Sequence, residues 1–266
     1  MEEKKTQKNQ QSEQEFLKAY DSSKYEKPSV TADILVFTVV DDELGLLLIR
    51  RKNHPYKDCW AIPGGFVSMD ETAEQAAKRE LFEETHIQNV CLEQLYTFSG
   101  VHRDPRMRVI SISYIAMVPF EKMKFKSGDD AKDVRLFMIK EDGRDIQFID
   151  KENPSYTISS KELAFDHYEI VRMAIDRMRG KLAYSNIGFA FLNDIDKFTL
   201  TDIRKIYDAI SGEKADVGNF RRFIKREYEE TGKINKIAVE KLNRGRPATI
   251  YRWNQERGKI NEQDFS

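Results

Sequence analysis

Between Ala73 and Glu84 the chain reads AEQAAKRELFEE, helix formers with neither glycine nor proline, directly after a loop, Ile62-Pro63-Gly64-Gly65, that a helix would not absorb. The spacing predicts one helix over this stretch. At ~100° per residue Glu80, Glu83 and Glu84 share an arc of roughly 100°, so their carboxylates are expected to converge on one side. Ala73, Ala77 and Leu81 form the apolar stripe, and Ala76, close to the acidic arc, is small enough to leave room for a bulky ligand. Acids packed in this way repel one another without a cation, and hard oxygen donors select Mg²⁺ or Mn²⁺. Arg79, one turn before Glu83, is placed to pair with that carboxylate and fix its rotamer. Taken alone, an acid-rich helix face is more often a solvated surface.

The wider string, GFVSMDETAEQAAKRELFEETHI, resembles the Nudix box at Gly65, Glu71, Arg79, Glu80, Leu81, Glu83, Glu84 and Ile87, with His86 where the family has its second glycine. The resemblance implies an α/β/α sandwich and a metal-dependent hydrolase of nucleoside diphosphates linked to another moiety. It implies Glu80, Glu83 and Glu84 as metal ligands, a backbone carbonyl from Gly64 to one ion, and Arg79 among the catalytic residues. The base for the attacking water would be a box glutamate or an acid from a later loop, where Asp129 and Asp130 are the obvious pair. An acidic turn is, however, commonly just a turn. His86 replaces a residue that terminates the family's helix, so the helix end is expected to run differently without loss of a ligand.

The rest of the chain is long enough, at 266 residues, for a second domain of ordinary size. Cys59 and Cys91 are too few for a disulfide framework, and the polar start MEEKKTQKNQQSEQEF carries no apolar run that would span a bilayer. A cytoplasmic protein with no membrane partner is expected. Residues 1–25 read as a flexible arm with a short helix around Ser12 to Tyr20. Strands are predicted over Val30–Val40, Gly45–Arg51, Val90–Phe98 and Val109–Val118, and a closing helix over Leu163–Lys181, which bounds a first domain at 26–182.

The loop His102-Arg103-Asp104-Pro105-Arg106, followed by Arg108, supplies cations suited to phosphate or carboxylate, although an exposed basic loop is the plainer reading. The string HRDPRMRVISISYIA resembles the matching segment of Nudix proteins that handle ADP-ribose, which implies a nucleotide-type ligand of that kind. Arg50, Arg51 and Arg106 are the candidate contacts, and which of them touches the ligand stays open.

Beyond Ser185 the character changes. From Lys197 to Ile260 there are 16 Lys and Arg against 9 Asp and Glu. Thr199, with Asp202 three residues on, reads as the cap of a helix IRKIYDAI that Ser211-Gly212 stops. A second helix begins near Asp216, with Val217, Phe220, Ile224 and Tyr228 as its apolar stripe and Arg221, Arg222, Lys225 and Arg226 off it. Helix, short turn and basic helix suggest helix-turn-helix. Ile237–Leu242 and Ala248–Trp253 can pair as a wing whose tip carries Arg244 and Arg246, giving a small winged helix-turn-helix over 183–260 and a tail at 261–266. AFDH in the last helix of the first part, then FTLTDIRKIYDAI, NFRR and GRPATIYR, resemble the Nudix-related transcriptional regulators. That resemblance implies a homodimer whose Nudix domain senses a small molecule, ADP-ribose or a pentose, and whose recognition helix, with Asn219-Phe220-Arg221-Arg222, and wing, with Arg244-Gly245-Arg246-Pro247, bind a double-stranded, palindromic operator. Several such regulators have lost hydrolysis. A working Nudix hydrolase, a purely ligand-sensing repressor, and a C-terminal module that only dimerises are the three alternatives.

Overall fold

The computed structural model describes residues 12–88, 90, 92–126, 131–143, 145–240 and 247–258. A first helix, α1 (Glu13–Ala19), is capped by Ser12 and buries no residue. The strands β1 (Ser29–Val40), β2 (Glu43–Arg51), β3 (Trp60–Ala61) and β4 (Gly64–Phe66) follow, then α2 (Ala73–Thr85). After it come β5 (Leu92–Phe98), β6 (Val109–Met117), β7 (Ala131–Asp142), β8 (Asp145–Asp150), β9 (Thr157–Ile158) and α3 (His167–Lys181). They build a sheet in the order β5-β6-β1-β2-β7-β8-β9, with β3 on β2 and β4 on β1. β1 and β6 are parallel.

Why this sheet needs helices on both faces is visible in β1, whose central residues are buried without alternation. Ala32, Ile34 and Val36 face α2 and join Ala76, Ala77 and Leu81, whereas Leu35 and Phe37 face α3 and join Ile170, Val171, Ala174 and Met178. The result is a mixed α/β sandwich. The expected strands stand with ends shifted by up to two residues. The closing helix starts later than the spacing suggested, because Phe165 takes a left-handed φ of 52° and Asp166 is the N-cap. Strands β7 to β9 were not anticipated.

The α3-side core continues without interruption into the C-terminal part through Phe189, Phe191, Ile203, Ile206, Phe220 and Trp253. There α4 (Leu200–Ser211) is capped by Thr199 and Asp202 in a reciprocal box and ends at Gly212, φ 79°. The next helix, α5 (Val217–Ile224), starts from Asp216, whose carboxylate accepts from the Asn219 N–H. β10 (Ile234–Glu240) and β11 (Ala248–Trp253) form the antiparallel hairpin, which begins three residues earlier than expected. A bulge at Ile237 leaves that side chain exposed. Among the described residues no helix is long and apolar enough to cross a membrane.

Candidate functional site

The turn from β3 into β4 and the start of α2 are fixed by two glycines. A Cβ on Gly64 would lie 2.5 Å from Asp33 Oδ1, and one on Gly65 would lie 2.2 Å from Glu80 Oε1. Only a backbone without side chains can pass between these carboxylates. Gly64 N–H donates to Glu84 Oε2 at 2.9 Å, which ties the turn to the last turn of α2. The predicted use of the Gly64 carbonyl is thus joined by a use of its amide.

The box acids do not gather as three. Glu80 and Glu84 line a cavity of about 390 Å³ together with Asp33 from β1, whereas Glu83 lies outside its lining with 54 % of its side chain exposed. The 100° arc is wide enough to put its outer member in solvent. Among the described residues no three His, Cys, Asp or Glu side chains stand close enough to hold an ion as they are. Ala76 is also not beside the ligand space, being fully buried in the core between α2 and the sheet.

Arg79 does more than pair with Glu83 at 3.1 Å. Its Nε and Nη2 grip Glu71 at 3.0 and 2.6 Å, Nη1 donates to Glu80 at 2.8 Å, and Nη2 also reaches the Phe66 carbonyl at 3.1 Å. The guanidinium hydrogen bonds, with help from the Ser68 N–H, hold the Glu71 carboxyl down at about 2. Burial pushes the other acids the opposite way. Glu84 is raised to about 8 by burial, against the pull of the Gly64 N–H and with the push of Glu80 and Asp33, and Asp33 is raised to about 6 chiefly by burial. Glu80 moves upward for the same first reason. Hard oxygen donors, crowded and reluctant to ionise together, fit an oxygen-seeking divalent cation.

Across the cavity the charge reverses. Arg51 lies over the Phe165 ring at 5.0 Å, and Arg106 lies between Phe66 and Phe165 at 5.4 and 5.9 Å. Asp104 aims Arg106 through two bonds of 3.0 and 2.8 Å. Arg50 is elsewhere: strand alternation turns it away from Arg51, and its Nε donates to the Asp58 carbonyl at 3.0 Å. Arg103 was among the loop cations that the sequence offered but was not singled out as a contact. Its side chain is 6 % exposed and grips Asp166 at 2.9 and 2.6 Å inside the cavity. Asp33, which belongs to no motif, was missed, and His167, though part of the AFDH string, was given no role there; His167 Nδ1 accepts from the Ile62 N–H at 3.1 Å. His86, in contrast, performs the glycine's task, taking φ 65° while its N–H closes the helix on Phe82 O at 2.8 Å. Asp129 and Asp130 lie outside the described residues.

In the C-terminal part Phe220, Ile224 and Tyr228 are buried as expected, but Val217 is 47 % exposed. Asn219, Arg221 and Arg222 stand exposed on α5, and Arg222 donates to the Asn219 side chain. Lys225 and Arg226 fall on a π-turn after the helix, Lys225 facing Glu230 at 3.8 Å and Arg226 pairing with Glu227 at 2.6 Å. Arg244 and Arg246 lie outside the described residues.

Residues 30–150 match the NUDIX domain, and residues 188–253 match the NrtR DNA-binding winged helix domain. Over 246 residues the chain is 31 % identical to the ADPR responsive transcriptional repressor NtrR of Acinetobacter baylyi, covering 91 % of this chain and 88 % of that protein. The chain belongs to the Nudix-related transcriptional regulators. Nudix regulators and Nudix enzymes both resemble it: an ADP-ribose pyrophosphatase of Methanocaldococcus jannaschii is 37 % identical over 169 residues, covering 62 % of this chain and 84 % of that one. Among solved structures, a MutT/nudix family protein from Enterococcus faecalis superposes with a TM-score of 0.73 at 32 % identity, covering 92 % and 95 % of the two chains. The Shewanella oneidensis regulator NrtR with a 27mer DNA gives 0.64 at 27 %, over 85 % and 94 %. The Nudix domain of that regulator with ADP ribose gives 0.51 at 28 %, over 63 % and 99 %.

Proposed function

We propose that the Nudix domain of this regulator binds ADP-ribose and that binding controls the hold of the winged helix on a double-stranded operator. The observation that carries the reading is one cavity with buried acids on one wall and Arg51 and Arg106 on the other, in a domain whose core runs unbroken into the winged helix. A diphosphate suits that pairing of walls, with the arginines on its oxygens and the rings of Phe66 and Phe165 beside an aromatic base. The regulator of Acinetobacter baylyi that answers to ADPR, and the Shewanella oneidensis domain seen with ADP ribose, support the choice of ligand.

Glu80 and Glu84, with the Gly64 carbonyl, would hold Mg²⁺ or Mn²⁺, and Glu83, exposed and paired with Arg79, is the remaining candidate ligand. The cation supplies charge neutralisation for the diphosphate and Lewis acidity at phosphorus. Arg79 keeps Glu80 and Glu71 in place, and Arg51 and Arg106 orient the anion. Hydrolysis of ADP-ribose to AMP and ribose 5-phosphate is the second activity, favoured by the retention of every acidic box position. On the winged helix, Asn219, Arg221 and Arg222 of α5 face the major groove, and Arg244 and Arg246, outside the described residues, are the further candidates for contact with phosphates or the minor groove. A homodimer, with the division between its domains at residues 182–183, presents two such units to a palindrome.

A duplex selected from a random-sequence pool serves as operator. ADP-ribose is titrated into that complex in Mg²⁺ while AMP release is followed. Displacement of the protein by ADP-ribose, with Glu84→Gln removing AMP release by 100-fold or more, is the expected result on the scale of losing a metal ligand. Selection that recovers no duplex, or a complex indifferent to ADP-ribose, overturns the reading.

A further inference from the structure

The face of the sheet beneath α3 changes character along two paired strands. Leu35 beside Ile115 and Phe37 beside Met117 are apolar and buried, as the core requires. Two steps earlier in each strand the same face carries Thr31 beside Ser111 and Asp33 beside Ser113, at exposures between 0 and 9 %. Nothing in packing calls for four polar residues there, and burying a carboxylate without full hydrogen bonding is costly.

The quartet is also only partly satisfied from within. Ser111 Oγ donates to Asp33 Oδ2, and Ser113 lies 3.4 Å from Ser111. Thr31 Oγ1 is buried with no partner. Among the described residues no protein donor reaches Asp33 Oδ1, and Asp33 and Thr31 both line the ligand cavity. An acceptor held ready in this way calls for a donor on the ligand. Arg103, 3.8 Å from Asp33 Oδ2 and locked on Asp166, sets a positive charge against this spot, which opposes a second cation and does not oppose a hydroxyl.

We infer that Asp33 and Thr31, backed by Ser111, accept and donate to the hydroxyls of a sugar, and that this floor selects ligands with a pentose on the far side of the diphosphate. The inference rests on the ADP-ribose reading and specifies which end of the ligand goes down to the sheet. Phe66, opposite Thr31 on β4, stands at the outer edge of this floor and Phe165 on the basic wall, with Arg106 over both rings, so the nucleobase belongs against those rings and the second sugar deeper, over Asp33 between β1 and β6. Asp33 and Thr31 are specificity residues, set apart from the acids of α2.

Calorimetric titration of the whole chain with the α,β-methylene analogues of ADP-ribose and ADP, in Mg²⁺, tests this because neither analogue is hydrolysed. The wild type is expected to prefer the ADP-ribose analogue about tenfold or more, and Asp33→Asn, which keeps shape and loses an acceptor, to bring the two affinities within about twofold by weakening only the first. Thr31→Val, the same size as threonine, is expected to weaken the ADP-ribose analogue severalfold and leave ADP unchanged, and it stands in should Asp33→Asn melt early. Equal losses for both analogues, or a fall in Mn²⁺ affinity in Asp33→Asn measured by electron paramagnetic resonance, overturns the inference while the ADP-ribose reading survives. A wild type that binds neither analogue overturns that reading, and this inference with it.

Discussion

His167 shows how a residue inside a recognised string, AFDH, can have a structural role that the string itself does not announce. It is 5 % exposed, and burial, followed by the fields of Arg103 and Arg51, lowers its pKa to about 3, so the folded state keeps it neutral to accept from Ile62. The sign follows from linkage. As the pH falls below about 6.5 the unfolded chain takes a proton that the folded chain refuses until about 3, so this residue's contribution is present above the upper value and lost through that window. Because Glu84 and Asp33 shift the other way and stabilise on acidification, the measurement is a difference. The stability of wild type minus that of His167→Gln, from urea melts, is expected to be flat above pH 6.5 and to fall by about 1.4 kcal/mol per unit below it. A difference independent of pH would show that His167 titrates normally in the fold. His86 makes a related point: a single residue in the left-handed region, which costs a non-glycine side chain about 1–2 kcal/mol, preserves the helix end that the letter change put in doubt.

At the scale of elements, α3 is the piece shared by both domains. Its N-terminal end sits in the cavity, with Asp166 on Arg103 and His167 on Ile62. Near its C-terminal end Arg179 donates to the Ile210 carbonyl at 3.0 Å, at the end of α4, and to Glu141 on β7 at 3.0 Å. Just beyond it the Ser185 carbonyl accepts from Tyr228 at 2.9 Å, in the turn that follows α5. Gly212 is left bare against this guanidinium, since a Cβ there would approach Arg179 Nη2 to 3.0 Å. Arg179→Met keeps the apolar stem and removes the donors. With the Glu141 pair partly exposed and discounted accordingly, a loss of about 1–2 kcal/mol is expected. Faster amide exchange around residues 210–214 is expected with it. Unchanged melting and exchange would mean that the apolar core alone holds the domains together.

For the whole molecule the charge is uneven in a way the overall value hides. The net charge is −1, while the exposed arginines of α5 stand on a module with a basic excess. Binding to duplex DNA is therefore expected to weaken with salt, each phosphate contact adding about 0.9 to the slope of log affinity against log salt. Arg221→Ala is expected to lower that slope by about one. Arg222, steered by Asn219, is expected to affect sequence preference more than slope. Equal slopes for wild type and Arg221→Ala in fluorescence anisotropy would remove Arg221 from the phosphate contacts.

Much of this architecture was legible because local physics wrote it in local sequence. The α2 helix, its carboxylates, the Thr199 cap, the start of α5 near Asp216, the Gly212 stop and the buried Phe220 and Ile224 follow from periodicity and from backbone rules that act over a few residues. Resemblance to a family then extended those local patterns to two domains. What spacing could not decide was direction. A helix arc of three acids does not say which of them meets solvent, and the packing of α2 on β1 sends Glu80 and Glu84 inward and Glu83 out. Strand alternation permits either Arg50 or Arg51 to face the cavity, and the sheet chose Arg51. Asp33, Thr31, Ser111, Arg103 and Asp166 are separated by up to 135 positions along the chain, and only the parallel pairing of β1 with β6 under α3 makes them neighbours. The sequence by itself determined the elements and the acids of the box, because those depend on contacts within a turn or two. The tertiary structure alone decided which side chains share the cavity, because that depends on burial, which no residue carries until the sheet has formed.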